Sequence, residues 1–139
     1  MKISFFKEDI KCILPGKKTK DWIKTIVSKK GFTIKDLNFI LCSDEYLHGI
    51  NLEYLNHDTY TDIITFDNSE EKGILEGDIF ISLERIKENA IQYKSTTEEE
   101  LHRVIVHGVL HLMGYKDKTK EEKILMRNKE DECLSLRQK

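Results

Sequence analysis

The chain has 139 residues, of which 39% are hydrophobic and 35% charged, with a formal net charge of −2. That length suits one domain over residues 1–139 with a real core. The charge balance excludes a uniformly basic nucleic-acid binder, and no apolar run approaches the ~20 residues of a membrane-spanning helix. The charge is nonetheless uneven, since residues 1–35 hold ten lysines against Glu8, Asp9 and Asp21, a net +7 that leaves −9 on the remainder. Such asymmetry can mark a phosphate-facing surface. Lysines that merely solvate a helix are the simpler reading.

The start of the chain, Met1 to Asp9, lacks the long apolar region and small-residue cleavage site of a secretory leader. Cys12, Cys42 and Cys133 are scattered and odd in number, which reads as reduced thiols in a cytoplasmic protein rather than disulfides or zinc ligands.

In chain order, Ile3–Phe6 predicts a short strand. Thr19 predicts the cap of a helix to Lys30, with Trp22, Ile23, Ile26 and Val27 as its apolar stripe and Gly31 as its stop. Leu37–Leu41 reads as a strand, after which Ser43 caps a helix that turns Leu47, Ile50 and Tyr54 inward. Thr61–Phe66 and Asp78–Ile81 are β-rich segments joined by the polar loop Asn68–Gly73. Ser82 caps a helix to about Tyr93, Thr97 with Glu100 predicts a capping box ahead of the next, and Thr119 with Glu122 predicts another ahead of the last. The expected class is α+β, with about four strands in a mixed sheet packed by about five helices.

The segment His107 to Asp117 carries the chemistry. His107 and His111 lie four residues apart, hence one turn apart on one helix face, where two imidazoles can meet a single ion. Gly114 can take the left-handed conformation that ends a helix, and the returning chain can bring Asp117 in as a third ligand. Two histidines and a carboxylate leave a fourth zinc position open, as catalytic centres do. The structural alternative is two buried histidines, each with its own hydrogen-bond partner. Val104-Ile105-Val106, Val109-Leu110 and Leu112-Met113 make the helix apolar on most sides, so both rings need partners, and a shared metal satisfies both at once. Gly108 stands where the His-Glu-x-x-His proteases carry their general base. A glycine inside a helix costs about 1 kcal/mol relative to alanine, which close packing or access to the metal would explain. His102 lies about 140° round the helix from His107 and is a poor ligand. His48 and His57 read as ordinary polar histidines, His57 being nearer the site rim through its neighbourhood to Thr61–Phe66.

Taken together, Thr61-Asp62-Ile63-Ile64-Thr65-Phe66, Gly77-Asp78-Ile79-Phe80-Ile81-Ser82-Leu83-Glu84 and His107-Gly108-Val109-Leu110-His111-Leu112-Met113-Gly114-Tyr115 resemble the YbeY family in order and spacing. The resemblance is strong over residues 40–120. It implies a metzincin-like α+β fold, a zinc ion on His107, His111 and the residue at position 117, and single-strand-specific endoribonuclease activity. It further implies ribosomal RNA maturation, including 16S rRNA 3′-end processing and ribosome quality control, with ribosomal RNA, the small ribosomal subunit and its assembly factors as partners and no membrane.

Two positions depart from the family pattern. Asp117 stands where the family usually has a third histidine, and a carboxylate remains an acceptable zinc ligand, with other divalent metals open to it. Leu55 stands where the family usually has an arginine suited to an RNA phosphate, so His57 or Lys116 is the available helper and slow cleavage is expected. A non-catalytic zinc-containing ribosome assembly factor is the alternative, and a metallopeptidase, disfavoured by Gly108, a more distant one.

Overall fold

The computed structural model describes residues 1–137. In chain order it contains β1 (Lys2–Glu8), α1 (Lys17–Lys29), β2 (Thr33–Cys42), α2 (Asp44–Leu55), β3 (Ile63–Asp67), β4 (Ile74–Ser82), α3 (Leu83–Gln92), α4 (Thr97–Leu112) and α5 (Lys120–Ser135). The four strands form one sheet in the order β1-β2-β4-β3. β1, β2 and β4 are parallel, and β3 runs antiparallel beside β4 at the edge. The expected α+β class with a mixed four-stranded sheet and five helices is what the described residues form.

Strand β2 runs longer than its apolar run suggested, because the polar residues Asp36 and Asn38 alternate with Ile34, Leu37, Phe39 and Leu41, which face the core. The main core joins these to Ile79 and Ile81 of β4 and to Ile105, Val106, Val109 and Leu110 of α4. A smaller cluster beneath α2 holds Leu47, Cys42 and Ile64, with Ile50 half-buried against it. Tyr54 does not turn inward as expected; it is 62% exposed, with its ring in edge-on contact with that of Phe66.

Two glycines set how closely α4 lies on the sheet. A Cβ on Gly108 would sit 3.0 Å from Ile63 Cδ1 and 3.1 Å from Ile79, so close packing against β3 and β4 accounts for a glycine inside this helix. A Cβ on Gly77 would come 2.5 Å from the Phe66 carbonyl oxygen and 3.2 Å from Leu112.

Three of the five helix starts follow the sequence reading. Ser43, Ser82 and Thr119 each accept a backbone N–H with their side chain, and Thr119 with Glu122 forms a complete capping box. The other two differ. α4 is capped by Thr96, whose hydroxyl accepts from the Glu99 N–H, so Glu100 is not the capping-box partner, and it is buried instead. α1 starts at Lys17 after Gly16 with no side-chain cap, and Thr19 is buried within its first turn.

Thr19 is taken up by a partner 83 residues away. His102 Nδ1–H donates to the Glu98 carbonyl oxygen at 2.7 Å, and its Nε2 accepts from the Thr19 hydroxyl at 2.9 Å. A carbonyl only accepts, so the proton sits on Nδ1, and burial against Trp22 favours the neutral ring, in which Nε2 accepts from the Thr19 hydroxyl. Burial lowers the His102 pKa below its ordinary value. The unfolded chain therefore binds the extra proton first, so stability is full above about pH 6.5 and falls as the pH drops below it. Wild type is expected to lose more melting temperature between pH 7 and pH 5 than His102→Gln does. Parallel pH profiles would reject this role.

Candidate metal centre and its cleft

The apolar face of α4 is fixed on the sheet, so its opposite edge presents His107 and His111 outward. Their Nε2 atoms are 3.0 Å apart. The helix then ends in a reciprocal pair of backbone bonds, Gly114 N–H to the His111 carbonyl at 3.0 Å and Tyr115 N–H to the Leu110 carbonyl at 3.1 Å. Gly114 takes φ +106°, so this is the Schellman ending that glycine permits. It reverses the chain and delivers Asp117, whose Oδ2 lies 3.3 Å from His107 Nε2 and 3.4 Å from His111 Nε2.

These three separations test the fit of a metal. With ligand bonds of about 2.0–2.1 Å in a tetrahedron, ligand atoms stand about 3.3 Å apart. The two nitrogens and one oxygen therefore span one face of such a tetrahedron, and they form a group able to hold an ion. Nitrogen and carboxylate donors without a thiolate suit a borderline cation.

A carboxylate that sequence reasoning missed completes the centre. Glu130 of α5 is 5% exposed and its Oε2 accepts from His107 Nδ1–H at 2.6 Å. The bond orients the ring and turns the Nε2 lone pair toward His111 and Asp117. Arg103 donates to the other Glu130 oxygen at 3.0 Å and to Asp131 at 2.7 Å, which offsets the cost of burying Glu130. Burial alone would lower the His107 pKa, but the Glu130 bond and the charges of Glu130, Asp117 and Asp62 outweigh it and raise the pKa. The same field favours any cation at this point. Glu130 sits in the charged run Lys129-Glu130-Asp131-Glu132 and resembles a surface residue there. Its one signal is position, because it falls on the buried stripe of α5 between Met126 and Cys133.

Two cavities flank the centre. One, of about 660 Å³, is lined by Leu55, His57, Thr61, Asp62, His107, His111, Asp117 and Lys118 among others. His57 therefore stands on the rim as expected, and Leu55 faces the same space. Lys116 is exposed and is not among the lining residues; Lys118 is the lysine that borders the cleft. The other, of about 350 Å³, lies on the far side of His107 between α3, α4 and α5. Asp62 lines both, and its carboxylate makes no hydrogen bond or ion pair within the described residues. His48 is occupied elsewhere, bonded to Asp58 at 2.7 Å and stacked on Tyr60. None of the ten N-terminal lysines lines either cavity. They lie on β1, α1, the start of β2 and the connecting segments.

Fold and site together define a class, an α+β protein with a His-His-Asp group at the end of a long helix that can hold a metal ion within a cleft. A family model described as Endoribonuclease YbeY matches residues 3–137. Proteins named Endoribonuclease YbeY from Cytophaga hutchinsonii and Christiangramia forsetii are 57% and 49% identical, over 97% and 96% of this chain and 95% and 93% of theirs. One of that name from Bacteroides fragilis is 44% identical over 99% of both chains. The solution structure of a Thermotoga maritima protein matches with a TM-score of 0.68 at 28% identity, covering 97% of this chain and 88% of that one. The chain belongs to the endoribonuclease YbeY family.

Proposed function

We propose that residues 1–139 form one hydrolase domain that cleaves single-stranded RNA internally, using a zinc ion held by His107, His111 and Asp117. Membership of a family of endoribonucleases makes the chain a hydrolase acting on RNA. The observation that carries the metal assignment is the set of three donor atoms 3.0–3.4 Å apart at the end of α4. Bound there, a divalent cation would supply Lewis acidity to phosphodiester hydrolysis. The chain's own contributions surround that point. Glu130 holds His107 in one tautomer and one orientation. Asp62 lines both cavities and its carboxylate makes no hydrogen bond within the described residues, so it is the carboxylate available as a proton acceptor in the cleft. His57 and Lys118 border the cleft where Leu55 replaces a cation, and they are the groups available to a phosphate.

Ribosomal RNA is the substrate this reading assigns, with the small ribosomal subunit and its assembly factors as partners and the cytoplasm as the setting. No helix among the described residues is long and apolar enough to cross a membrane. A peptidase reading lacks its base, since Ile63 and Ile79 fill the space a side chain at Gly108 would enter.

The test is metal analysis of freshly purified protein beside two variants. Asp117→Ala is expected to weaken zinc binding strongly, whereas Asp117→His should retain or tighten it. Equal zinc content in wild type and Asp117→Ala would move the third ligand elsewhere. Cleavage of unstructured RNA, but not of casein, should follow the zinc content.

A further inference from the structure

We propose that the cavity between α3, α4 and α5 is a nucleobase pocket that seats the base next to the scissile phosphate, with Tyr93 stacking on the ring and Glu100 accepting a hydrogen bond from an exocyclic amino group. The inference deepens the RNA-cleaving reading above and rests on it for the identity of the ligand.

Glu100 is the leading observation. It is 7% exposed and lines the cavity, yet its carboxyl group makes no hydrogen bond within the described residues. Its carboxyl oxygens border the cavity, so a ligand seated there meets acceptor positions that the protein leaves open. Burial raises its pKa, and either protonation form keeps an oxygen able to accept from an amine. Glu100, Arg103, Val104 and His107 follow one another at helical spacing on one face of α4, so Glu100 lies about 10 Å along the helix from the metal-facing histidine. A sugar and base reach about that far from a backbone phosphate.

The remaining lining suits a flat neutral ring better than a phosphate. Among its carboxylates, Glu130 is engaged by His107 and Arg103, and Asp117 faces the two histidines. Arg103 is itself held by Glu130 and Asp131. Asp62 and Glu100 then roughly balance Lys123 and Arg127, leaving no strongly positive interior. Lys123 and Arg127 are exposed and form no ion pair among the described residues, which places two available cations where an RNA backbone would pass. Tyr93 is 61% exposed at the end of α3 and lines both this cavity and a neighbouring one of about 190 Å³. An exposed aromatic beside a hydrogen-bonding group is how unpaired RNA bases are recognised.

The experiment measures binding of labelled single-stranded hexaribonucleotides to the full chain by fluorescence anisotropy, as purified and with chelator, with intactness checked on gels. Removing the base at one position of an all-cytidine oligonucleotide should raise Kd about tenfold, within the range of base–aromatic stacking. Uridine at that position should bind more weakly than cytidine. Tyr93→Ala should weaken binding of the intact oligonucleotide to a similar extent and add nothing to the abasic defect. Glu100→Leu, which removes a buried acid and should fold, is expected to abolish the cytidine preference. Equal binding of every abasic oligonucleotide, or Tyr93→Ala binding as wild type does, would overturn the pocket. Base-dependent binding by a protein that cleaves no RNA would keep the pocket and reject the hydrolase.

Discussion

His111→Ala is expected to remove tightly bound zinc and to lower cleavage of single-stranded RNA by about a thousandfold, roughly 4 kcal/mol of transition-state stabilisation. In the proposed site the ring supplies one of three donor atoms, and its Nε2 lies 3.0 Å from that of His107 and 3.4 Å from Asp117 Oδ2. No other histidine stands within one turn on that face, since His102 is buried in its own bonds with Thr19 and Glu98. The remaining pair cannot close three coordination positions. His111 is about a third exposed on its side chain, so its loss leaves the α4 core intact. The variant should therefore fold, and its melting temperature in chelator should match that of wild type in chelator. With zinc added, only wild type should gain stability, as expected of a ligand that binds the folded state. Cleavage that is equal in wild type, His111→Ala and chelated samples would instead be contamination, and an assembly role without catalysis would then describe the protein better.

Loss of Glu130 is expected to injure both fold and site. In Glu130→Ala, Arg103 loses one of its two carboxylates and His107 Nδ1–H loses its acceptor, within a pocket where Glu130 is 5% exposed. Breaking such a buried pair costs about 3–5 kcal/mol, and the lower figure applies because Arg103 keeps Asp131. Glu130→Gln separates the two effects. Its amide oxygen can still accept from His107, so most stability should survive, while metal affinity should fall about 10–100-fold as for other groups that orient metal ligands. The check is a zinc titration paired with thermal unfolding in chelator. Wild-type zinc affinity in a folded Glu130→Gln would show that Glu130 serves the α4–α5 contact alone.

Much of the site was legible locally. A four-residue histidine spacing is a statement about helix geometry, and Gly114 followed by Asp117 is a statement about how a helix ends. The same holds for the Ser43, Ser82 and Thr119 caps, each made within three residues. The joint motifs around Thr61–Phe66, Gly77–Glu84 and His107–Tyr115 carried the family. Errors appeared where two local solutions were equivalent. Thr96 and Thr97 are both good caps by residue type, and the helix begins at Thr97 with Thr96 accepting the Glu99 N–H. Thr19 had the right chemistry for a cap but was drawn to His102 instead.

Local spacing by itself determined the proposed donor set, the helix that carries two of its members and the turn that returns the third, because each depends on residues within a few positions of one another. Only the tertiary structure decided why Gly108 is glycine, which carboxylate holds His107 and where the second cavity lies. Those depend on Ile63 and Ile79 packing on α4 and on Glu130 arriving 23 residues after His107. A buried carboxylate and an exposed one look alike in sequence; the fold makes them different by removing water from one and giving it a histidine and an arginine instead.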